Sequence, residues 1–516
     1  MTDTRGALAM SLGSRPLALS DLRRIFEAPV EVDIDADAMP AIRAAHATIV
    51  RLAAGEVAVY GINTGFGLLA NTRIPPAEST RLQKNIVLSH SAGVGPLLSD
   101  EIVRLTLVLK LASLARGHSG VSEKLLRWIT ALINANAYPC VPAQGSVGAS
   151  GDLAPLAHLF LPTLGLGEIR YQGQIRPAAE VLAQLDLPAP ELGPKEGLAL
   201  LNGTQVSTAI ALVAYFELEK VFGAAVVSGA LSVDALQGSD TPFDPRIHQL
   251  RGHRGQIAVA AAYRKLLEGS AIRESHRTCS RVQDPYSLRC QPQVMGACLG
   301  LLAQVATTLT VEANGVTDNP LVFHDGGDVL SGGNFHAEPV AFAADILALA
   351  AAEIGSLVER RISLLVDPKM SGLPAFLTPN SGVNSGFMIA QVTAAALVAE
   401  NRMLSHPASV DSIPTSANQE DHVSMATHGA RRSLAMVGNT AQVVAIELLA
   451  ACQGIDFRKP EHTSPALQRV YDTLRAQTPF AEEDRLIATD IANAARVMQS
   501  DAVQSLAREL LPSYLD

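Results

Sequence analysis

The tripeptide Ala149–Ser150–Gly151 contains the residue types from which a peptide can build its own electrophile. If a tight turn brings them together, the amide nitrogen of Gly151 can attack the carbonyl carbon of Ala149, and loss of water then closes a five-membered ring. Loss of a second water from the Ser150 side chain leaves an exocyclic methylene. Glycine suits this turn because it has no Cβ to block ring closure. The predicted product is a 4-methylidene-imidazol-5-one, an electron-poor alkene made without an external cofactor.

Taken alone, this tripeptide is more typical of an ordinary turn, and the surrounding sequence decides between the two interpretations. The string from Gln144 to His158 reads QGSVGASGDLAPLAH. It closely resembles the cofactor-forming motif of the histidine and phenylalanine ammonia-lyases, the aromatic amino acid lyase family. Further motifs of that family occur in order over roughly residues 17–511. The resemblance implies that the ring forms autocatalytically, and the adjacent Asp152 is expected to assist its closure.

Two motifs on the N-terminal side carry candidate catalytic and binding side chains. A glycine-rich loop, YGINTGFG, begins at Tyr60, and a Ser89–His90 pair precedes a second glycine turn. A phenol on such a loop can act as a general base if its pKa is lowered, although a packed tyrosine and a satisfied polar histidine are the commoner roles. The resemblance implies that Tyr60 removes the substrate β-proton and that His90 helps to bind or orient the substrate.

Two later motifs supply amide and guanidinium groups. In LLNGTQ, Asn202 stands beside a glycine at the start of an apolar helix, where it would also suit a helix cap. In QDPYSLRCQPQ, Arg289 has a planar fork that can hold a carboxylate with two hydrogen bonds, although many arginines form surface ion pairs. The resemblance implies that Asn202 lies against the ring and the substrate carboxylate and that Arg289 binds this carboxylate. It also implies that Gln283 and Tyr286 polarise the site, with a catalytic role for Tyr286.

A glycine loop, SGGNFHAE, carries Phe335, which would otherwise be typical of a core aromatic. The resemblance places Phe335 against the substrate ring. The nearby His336 and Glu338 are also metal-ligand types. Two such groups with no third ligand nearby argue against a metal site, and the chemistry requires none, so we predict no metal.

Glu420, in SANQEDHVSM, occupies the position where phenylalanine and tyrosine lyases of the family carry glutamine. A carboxylate can accept the imidazole N–H of histidine, whereas a buried carboxylate beside a phenyl ring would be unpaired and costly. A surface acidic pair is the ordinary alternative. With Ser89–His90, Glu420 favours L-histidine as the substrate and is expected to take part in both binding and catalysis.

The resemblance therefore implies elimination of ammonia from L-histidine to give trans-urocanate, the first step of histidine degradation in that family. The sequence leaves open whether the ring attacks the amino group or the imidazole of the substrate. Two other interpretations also stay open. One is a related lyase or 2,3-aminomutase that uses the same cofactor on another aromatic amino acid. The other is a helical scaffold that has lost activity, although the matched polar residues argue against it.

The composition limits which binding partners and which cellular compartment we expect. The net charge is −10 without a basic run, which argues against nucleic acid binding. The five cysteines are irregularly spaced, so neither a disulfide framework nor a zinc site is indicated. The most apolar stretches contain charges, and residues 1–17 lack an apolar core of signal-peptide length. We therefore expect a cytoplasmic protein with no membrane span.

The elements that must position these motifs are mostly helices. The chain is 48% apolar but only 4% aromatic and is rich in Ala and Leu, which favours helix. Periodicity predicts helices over Arg43–Ala54, Glu101–Arg116, Ser122–Asn134, Leu153–Leu164, Gln205–Leu231, Pro339–Val366 and Ala426–Cys452. The last three are apolar on most sides and need partners, so a bundle shared between subunits is plausible.

We accordingly predict a mainly α fold. A smaller N-terminal mixed region, residues 1–115, would carry the Tyr60 loop and Ser89–His90. A long-helix bundle, residues 116–516, would carry the cofactor loop and the other substrate-binding motifs. The resemblance adds that the bundle is of the aromatic amino acid lyase type. It also implies a homotetramer in which each active site draws residues from several chains.

Overall fold

The computed structural model describes residues 8–277, 282–323 and 325–515, and it is mainly α, as predicted. The four longest helices are Gln205–Ala235, Gln291–Ala313, Glu338–Val366 and Ala426–Asp456. Three of them begin within one residue of the predicted start. The periodicity of alanine, leucine and valine was therefore a sufficient signal for these three helices, whereas Gln291–Ala313 was not predicted.

Shorter helices and a few small sheets complete the described structure. The other α-helices are Leu19–Glu27, Met39–Ala53, Ser79–His90, Asp100–Leu114, Glu123–Asn134, Leu153–Phe160, Ala178–Gln184, Glu196–Leu201, Pro245–Arg251, Arg254–Leu267, Ala271–Ser275, Tyr286–Arg289, Pro368–Ser371, Met388–Leu404, Pro465–Arg475, Ile487–Met498 and Asp501–Ala507. Short 3-10 helices are Ala36–Ala38, Gly67–Leu69, Pro76–Glu78, Leu161–Leu164, Thr241–Phe243, Ala375–Leu377, Ser416–Asn418, Arg508–Leu510 and Pro512–Tyr514.

The strands form four small sheets among the described residues. Leu8–Leu12 pairs in parallel with Val30–Ile34, and the other pairings are antiparallel. These pairings are Val94–Leu97 with Pro142–Gln144, Tyr138–Pro139 with Glu168–Tyr171 and then Gln174–Pro177, and Leu321–Phe323 with Asp328–Leu330. The mixed character predicted for the N-terminal region is thus present, but strand pairing also extends beyond residue 115.

The chain divides into two compact units, each assembled from three stretches. The first unit contains the residues up to Val213, Thr307–Asp345 and Pro407–Arg431; the second contains Ala214–Ala306, Ile346–His406 and the residues from Arg432 onward. The predicted boundary after residue 115 falls inside the first unit. The motifs around Ser150, Asn202, Phe335 and Glu420 also belong to this unit, although they are far apart in sequence.

Polar groups are buried in the second unit where helices pack. The fully buried guanidinium of Arg361 pairs with the equally buried carboxylate of Glu447, which also accepts hydrogen bonds from the hydroxyls of Ser228 and Ser232. These four side chains are therefore joined by hydrogen bonds inside an apolar helix layer. Removing either charged partner would leave the other buried charge unpaired, which is strongly destabilising.

Three helices meet the length and composition of a membrane span, which differs from the prediction. They are Gln291–Ala313, Glu338–Val366 and Ala426–Asp456, and each contains an 18-residue stretch with no more than two charged residues. Length and composition alone therefore do not separate these helices from membrane helices.

Candidate active site

The first unit encloses a cavity of about 1500 Å³ that collects most of the residues singled out in the sequence. The candidates that line it are Tyr60, His90, Ala149, Ser150, Asn202, Phe335 and Glu420. The lining comes from residues 60–90, 149–153, 198–202, 319–336 and 416–422. The structure therefore brings together motifs that are far apart in sequence, since Tyr60 and Glu420 both line this cavity.

The tripeptide that is predicted to cyclise lies in a tight backbone crossing. Gly151 has a φ of +70° and forms a parallel bridge with Gly203, and the amide of Asp152 donates to the carbonyl oxygen of Gly203 at 2.8 Å. A Cβ placed on Gly151 would lie 2.1 Å from that oxygen. Glycine is therefore required at this position both by the left-handed backbone and by the approach of Gly203.

The carboxylate of Asp152 is fully buried directly behind this loop. One oxygen accepts hydrogen bonds from Ser146 Oγ at 2.8 Å and Thr427 Oγ1 at 2.5 Å, and the other accepts from Ser207 N at 2.7 Å and Ser207 Oγ at 2.8 Å. Asp152 stands at the start of Leu153–Phe160, as expected, but its side chain makes no hydrogen bond to that helix. It instead binds the first turn of the Gln205–Ala235 helix, and so it ties three segments together behind the loop.

Glu420 contacts the tripeptide directly. Its Oε1 accepts a hydrogen bond from Ser150 Oγ at 2.7 Å, while its Oε2 accepts from Thr415 Oγ1 at 2.6 Å and Ser416 Oγ at 2.9 Å. Burial raises the pKa of Glu420, but the three hydroxyl donors outweigh burial and leave the pKa below its ordinary value. Glu420 is therefore an ionised acceptor, with one oxygen fixed by its own loop and the other directed at Ser150.

The remaining lining residues provide a phenol, an imidazole and an aromatic ring. Tyr60 and Phe335 are half-buried in the cavity wall. The Nδ1 of His90 lies 3.0 Å from Ser89 Oγ, so the Ser–His pair is a contact as well as a sequence motif. Burial lowers the pKa of His90, partly offset by the carbonyl of Ile86 and the charge of Glu420, which favours the neutral imidazole.

Asn202 is fixed through its backbone and one side-chain nitrogen. Its Nδ2 donates to the carbonyl oxygen of Asn319 at 3.3 Å, and its own carbonyl oxygen accepts from the buried ammonium of Lys110. Its Oδ1 is buried and meets no donor among the described residues. Burial lowers the pKa of Lys110 to about 7, with opposing contributions from Asp318 and Asp152. An unsatisfied amide oxygen in a cavity wall is available to a ligand that carries a donor.

Gln283, Tyr286 and Arg289 belong to the second unit and do not line this cavity. They do lie together: the guanidinium of Arg289 is 4.5 Å from the centre of the Tyr286 ring, and its Nη2 donates to Gln283 Oε1 at 3.2 Å. The Tyr286 side chain is 70% exposed, which is unusual for a large aromatic residue. These three residues thus form a separate, prearranged group on the surface of their unit.

Several residues of this site were not identified in the sequence. Lys110 and Ser207 lie in segments whose sequence predicts apolar helices. The spacing of apolar residues in these segments does not indicate that Lys110 or Ser207 makes a polar contact at the site. His422 stood within the quoted Glu420 motif, and the structure brings it near His336 and Glu338. His336 and Glu338 therefore have a third potential metal ligand nearby, which the sequence did not lead us to expect.

Comparison with known proteins establishes the family. The family model described as aromatic amino acid lyase matches residues 17–476. The chain belongs to the aromatic amino acid lyase family. It is 57% identical over 499 residues to a histidine ammonia-lyase of Desulfotalea psychrophila, covering 96% of this chain and 98% of the relative.

Solved structures of family members agree in fold. A histidine ammonia-lyase from Trypanosoma cruzi superposes with a TM-score of 0.90 at 42% identity, covering 98% of this chain and 97% of that one. A tyrosine aminomutase from Streptomyces globisporus superposes with a TM-score of 0.91 at 34% identity, covering 97% and 99%. The predicted lyase-type helical fold is thus confirmed. The fold is shared by lyases and aminomutases, so the choice of substrate depends on the side chains.

Proposed function

We propose that this chain catalyses the non-oxidative elimination of ammonia from L-histidine to give trans-urocanate, a carbon–nitrogen lyase reaction. The observation that carries the proposal is the geometry of Glu420. Its Oε2 is occupied by two hydroxyls of its own loop, and its Oε1 is directed into the cavity at Ser150. An ionised acceptor in that position suits an imidazole N–H and would be left unpaired beside a phenyl ring.

The residues around Ser150 fit formation of a methylidene-imidazolone from Ala149, Ser150 and Gly151. Gly151 already has the left-handed turn, and no Cβ obstructs its approach to Gly203. The Ser150 hydroxyl is oriented by Glu420, and Asp152 is held immobile by its hydroxyl and amide donors. When formed, the ring supplies an electrophilic methylidene. No external cofactor and no metal enter the proposed reaction.

The side chains of the cavity take complementary parts in this proposal. Removal of the β-proton of the substrate is assigned to Tyr60. Glu420 and the neutral His90 hold the imidazole, and Phe335 packs against it. Asn202 is assigned to the ring and the substrate carboxylate, and it remains fixed because its backbone carbonyl is bonded to Lys110. Hydrogen bonds hold Glu420 and Asn202 in place before substrate arrives, which reduces the cost of organising the transition state.

The substrate carboxylate is assigned to Arg289, with Gln283 and the catalytic Tyr286 beside it. These residues do not line the cavity of the first unit, and their exposed grouping supports their use at the active site of another chain. We therefore propose a homotetramer with shared active sites, acting in the cytoplasm at the first step of histidine degradation. The relative with 57% identity, which is named histidine ammonia-lyase, supports the assignment of the reaction.

The shared site has its own test. A Tyr60→Phe chain and an Arg289→Met chain should each be inactive as homo-oligomers. Coexpressed, they should recover part of the wild-type activity, because some mixed sites would contain both native residues. Failure of the mixed protein to recover activity, with mixed oligomers demonstrated by mass, would contradict shared sites while leaving the reaction itself untouched.

The substrate assignment is tested by ultraviolet absorbance with L-histidine, L-phenylalanine and L-tyrosine, with Ser150→Ala as the control. We expect urocanate from histidine alone, with loss of turnover in the variant. Cinnamate or coumarate formation would overturn the assignment to histidine. Formation of a β-amino acid would instead identify an aminomutase, the alternative supported by the likeness to the tyrosine aminomutase.

A further inference from the structure

Three metal-ligand side chains meet at the edge of the cavity, apart from the groups used in the proposed reaction. They are His336, Glu338 and His422, and one potential ligand atom from each lies within 4.8 Å of the other two. His336 and His422 also line the cavity. In the described part of the chain this is the one cluster in which three such side chains come so close. We propose that it binds a divalent transition-metal ion of the Zn²⁺ type.

The distances are near those that zinc requires. Tetrahedral coordination with bonds of roughly 2.0–2.1 Å places neighbouring ligand atoms about 3.3 Å apart. His336 Nδ1 lies 4.0 Å from Glu338 Oε2, and one potential ligand atom from each of the three residues lies within 4.8 Å of the other two. Small side-chain rotations therefore suffice to bring one atom from each residue onto a common ion.

One carboxylate oxygen of Glu338 lacks a competing hydrogen-bond donor. Its Oε2 is buried, and no donor contacts it among the described residues. A buried carboxylate oxygen without a donor carries a free-energy penalty that a bound cation would remove. Glu338 also begins the Glu338–Val366 helix, so its backbone is firmly placed.

His336 is oriented as a ligand would be. Its Nε2 lies 3.2 Å from the backbone carbonyl oxygen of His422 and can donate a proton to it, which leaves Nδ1 as the nitrogen with a lone pair facing Glu338. A ring N–H donated to a backbone carbonyl is the usual support of a metal-bound histidine. The contact also joins two of the three proposed ligands through one hydrogen bond.

The ligand types select the ion. Two imidazoles and one carboxylate favour Zn²⁺ and similar transition metals over Mg²⁺ or Ca²⁺, which prefer oxygen alone. Three protein ligands leave one coordination position free, and two of the ligand residues, His336 and His422, line the cavity. Water or a small ligand from the cavity would complete the coordination.

The test uses the full-length Ser150→Ala chain, stripped of metal with a chelator, so that turnover does not enter the measurement. Zn²⁺ binding is followed by calorimetry and Co²⁺ binding by visible absorbance. We expect one saturable ion per chain and the d–d bands of a nitrogen and oxygen site. Glu338→Gln and His422→Gln should each weaken binding by more than about tenfold. His253→Gln, which changes an exposed histidine outside the cluster, should leave it unaltered.

Several results would overturn the proposal. These are an absence of saturable Zn²⁺ binding below ~1 mM, affinity unchanged in both cluster variants, or a sulfur-to-cobalt charge-transfer band that assigns the ion to cysteine. Thermal unfolding of each variant checks that the fold is retained; His422 is exposed, so its replacement should cost little stability. Because ion binding is measured without turnover, its failure is distinct from failure of the proposed lyase reaction.

Discussion

Replacing Glu420 with glutamine tests the residue on which the substrate assignment depends. Thr415 and Ser416 both donate to Oε2. In Glu420→Gln the amide oxygen should keep these two donors, because an NH₂ group there would face two hydroxyls that already donate. The NH₂ group is then turned toward the cavity and presents a donor to the imidazole N–H. The variant therefore exchanges an acceptor for a donor at one point while the loop keeps its hydrogen bonds.

The magnitude follows from the loss of one charge-assisted hydrogen bond. Such bonds contribute roughly 1.5–3 kcal/mol, and each 1.36 kcal/mol corresponds to a tenfold change in rate. We therefore expect kcat/KM for L-histidine to fall by about 10- to 160-fold. The activity toward L-phenylalanine should not fall in parallel, because a phenyl ring offers no N–H. The ratio of the two kcat/KM values is the quantity to report.

The assay is steady-state formation of urocanate and cinnamate by matched preparations, with ring content checked by peptide mass. Glu483→Gln is the control, since it makes the same replacement at an exposed residue that does not line the cavity. We expect this control to stay within about threefold of wild type, as surface charges contribute little. If Glu420→Gln kept kcat/KM for histidine within the same range while the ring had formed, Glu420 would not be the imidazole acceptor.

Three further predictions concern the cofactor loop and a buried acid. Gly151→Ala should prevent ring formation, because its Cβ would meet Gly203 O at 2.1 Å, and the peptide mass should then show no loss of water. Asp152→Asn should lower the fraction of chains with the ring, since an amide cannot accept all the donors of Ser207 and its neighbours; full ring absorbance and full activity would exclude a role in closure. Burial raises the folded-state pKa of Asp234 to about 6, from 3.8. The folded state therefore retains a proton that the unfolded state loses, and stability should fall as pH rises from about 4 to 6, by about 3 kcal/mol. Asp234→Asn should abolish this slope in thermal unfolding, and an unchanged slope would contradict the assignment.

The helices were predictable where a single periodicity dominates. Glu338–Val366 and Ala426–Asp456 were expected from their spacing of apolar residues, and their starts agree with the structure. Gln291–Ala313 was not predicted, although it is as apolar as the others. It follows directly on the Gln283–Gln293 motif, which was interpreted as a source of polar side chains and not as the start of a helix.

The site was predictable as a set of motifs but not as an arrangement. Resemblance supplied Ser150, Asn202, Phe335 and Glu420, and folding places them around one cavity. The hydrogen bond between Ser150 and Glu420 joins residues 270 positions apart and has no local sequence signal. Long-range contacts of this kind are set by tertiary packing, which spacing within a motif does not encode.

The supporting polar groups were the least predictable part. Lys110 stands in Asp100–Leu114 among apolar residues, and nothing in its neighbours indicates that its ammonium reaches Asn202. The same holds for the bond between Ser207 and Asp152. A residue that acts by holding another residue in place has no sequence motif of its own, because the partner that it supports is distant in sequence.

The most direct test of the account is the mass of the peptide that contains Ala149–Ser150–Gly151, taken from a preparation that converts L-histidine to urocanate. The account predicts a mass lower than that of the encoded sequence by two water molecules. It also predicts that Ser150→Ala lacks the loss that comes from the hydroxyl and is inactive. An unmodified peptide in a fully active preparation would contradict the central claim that this chain makes its own electrophile.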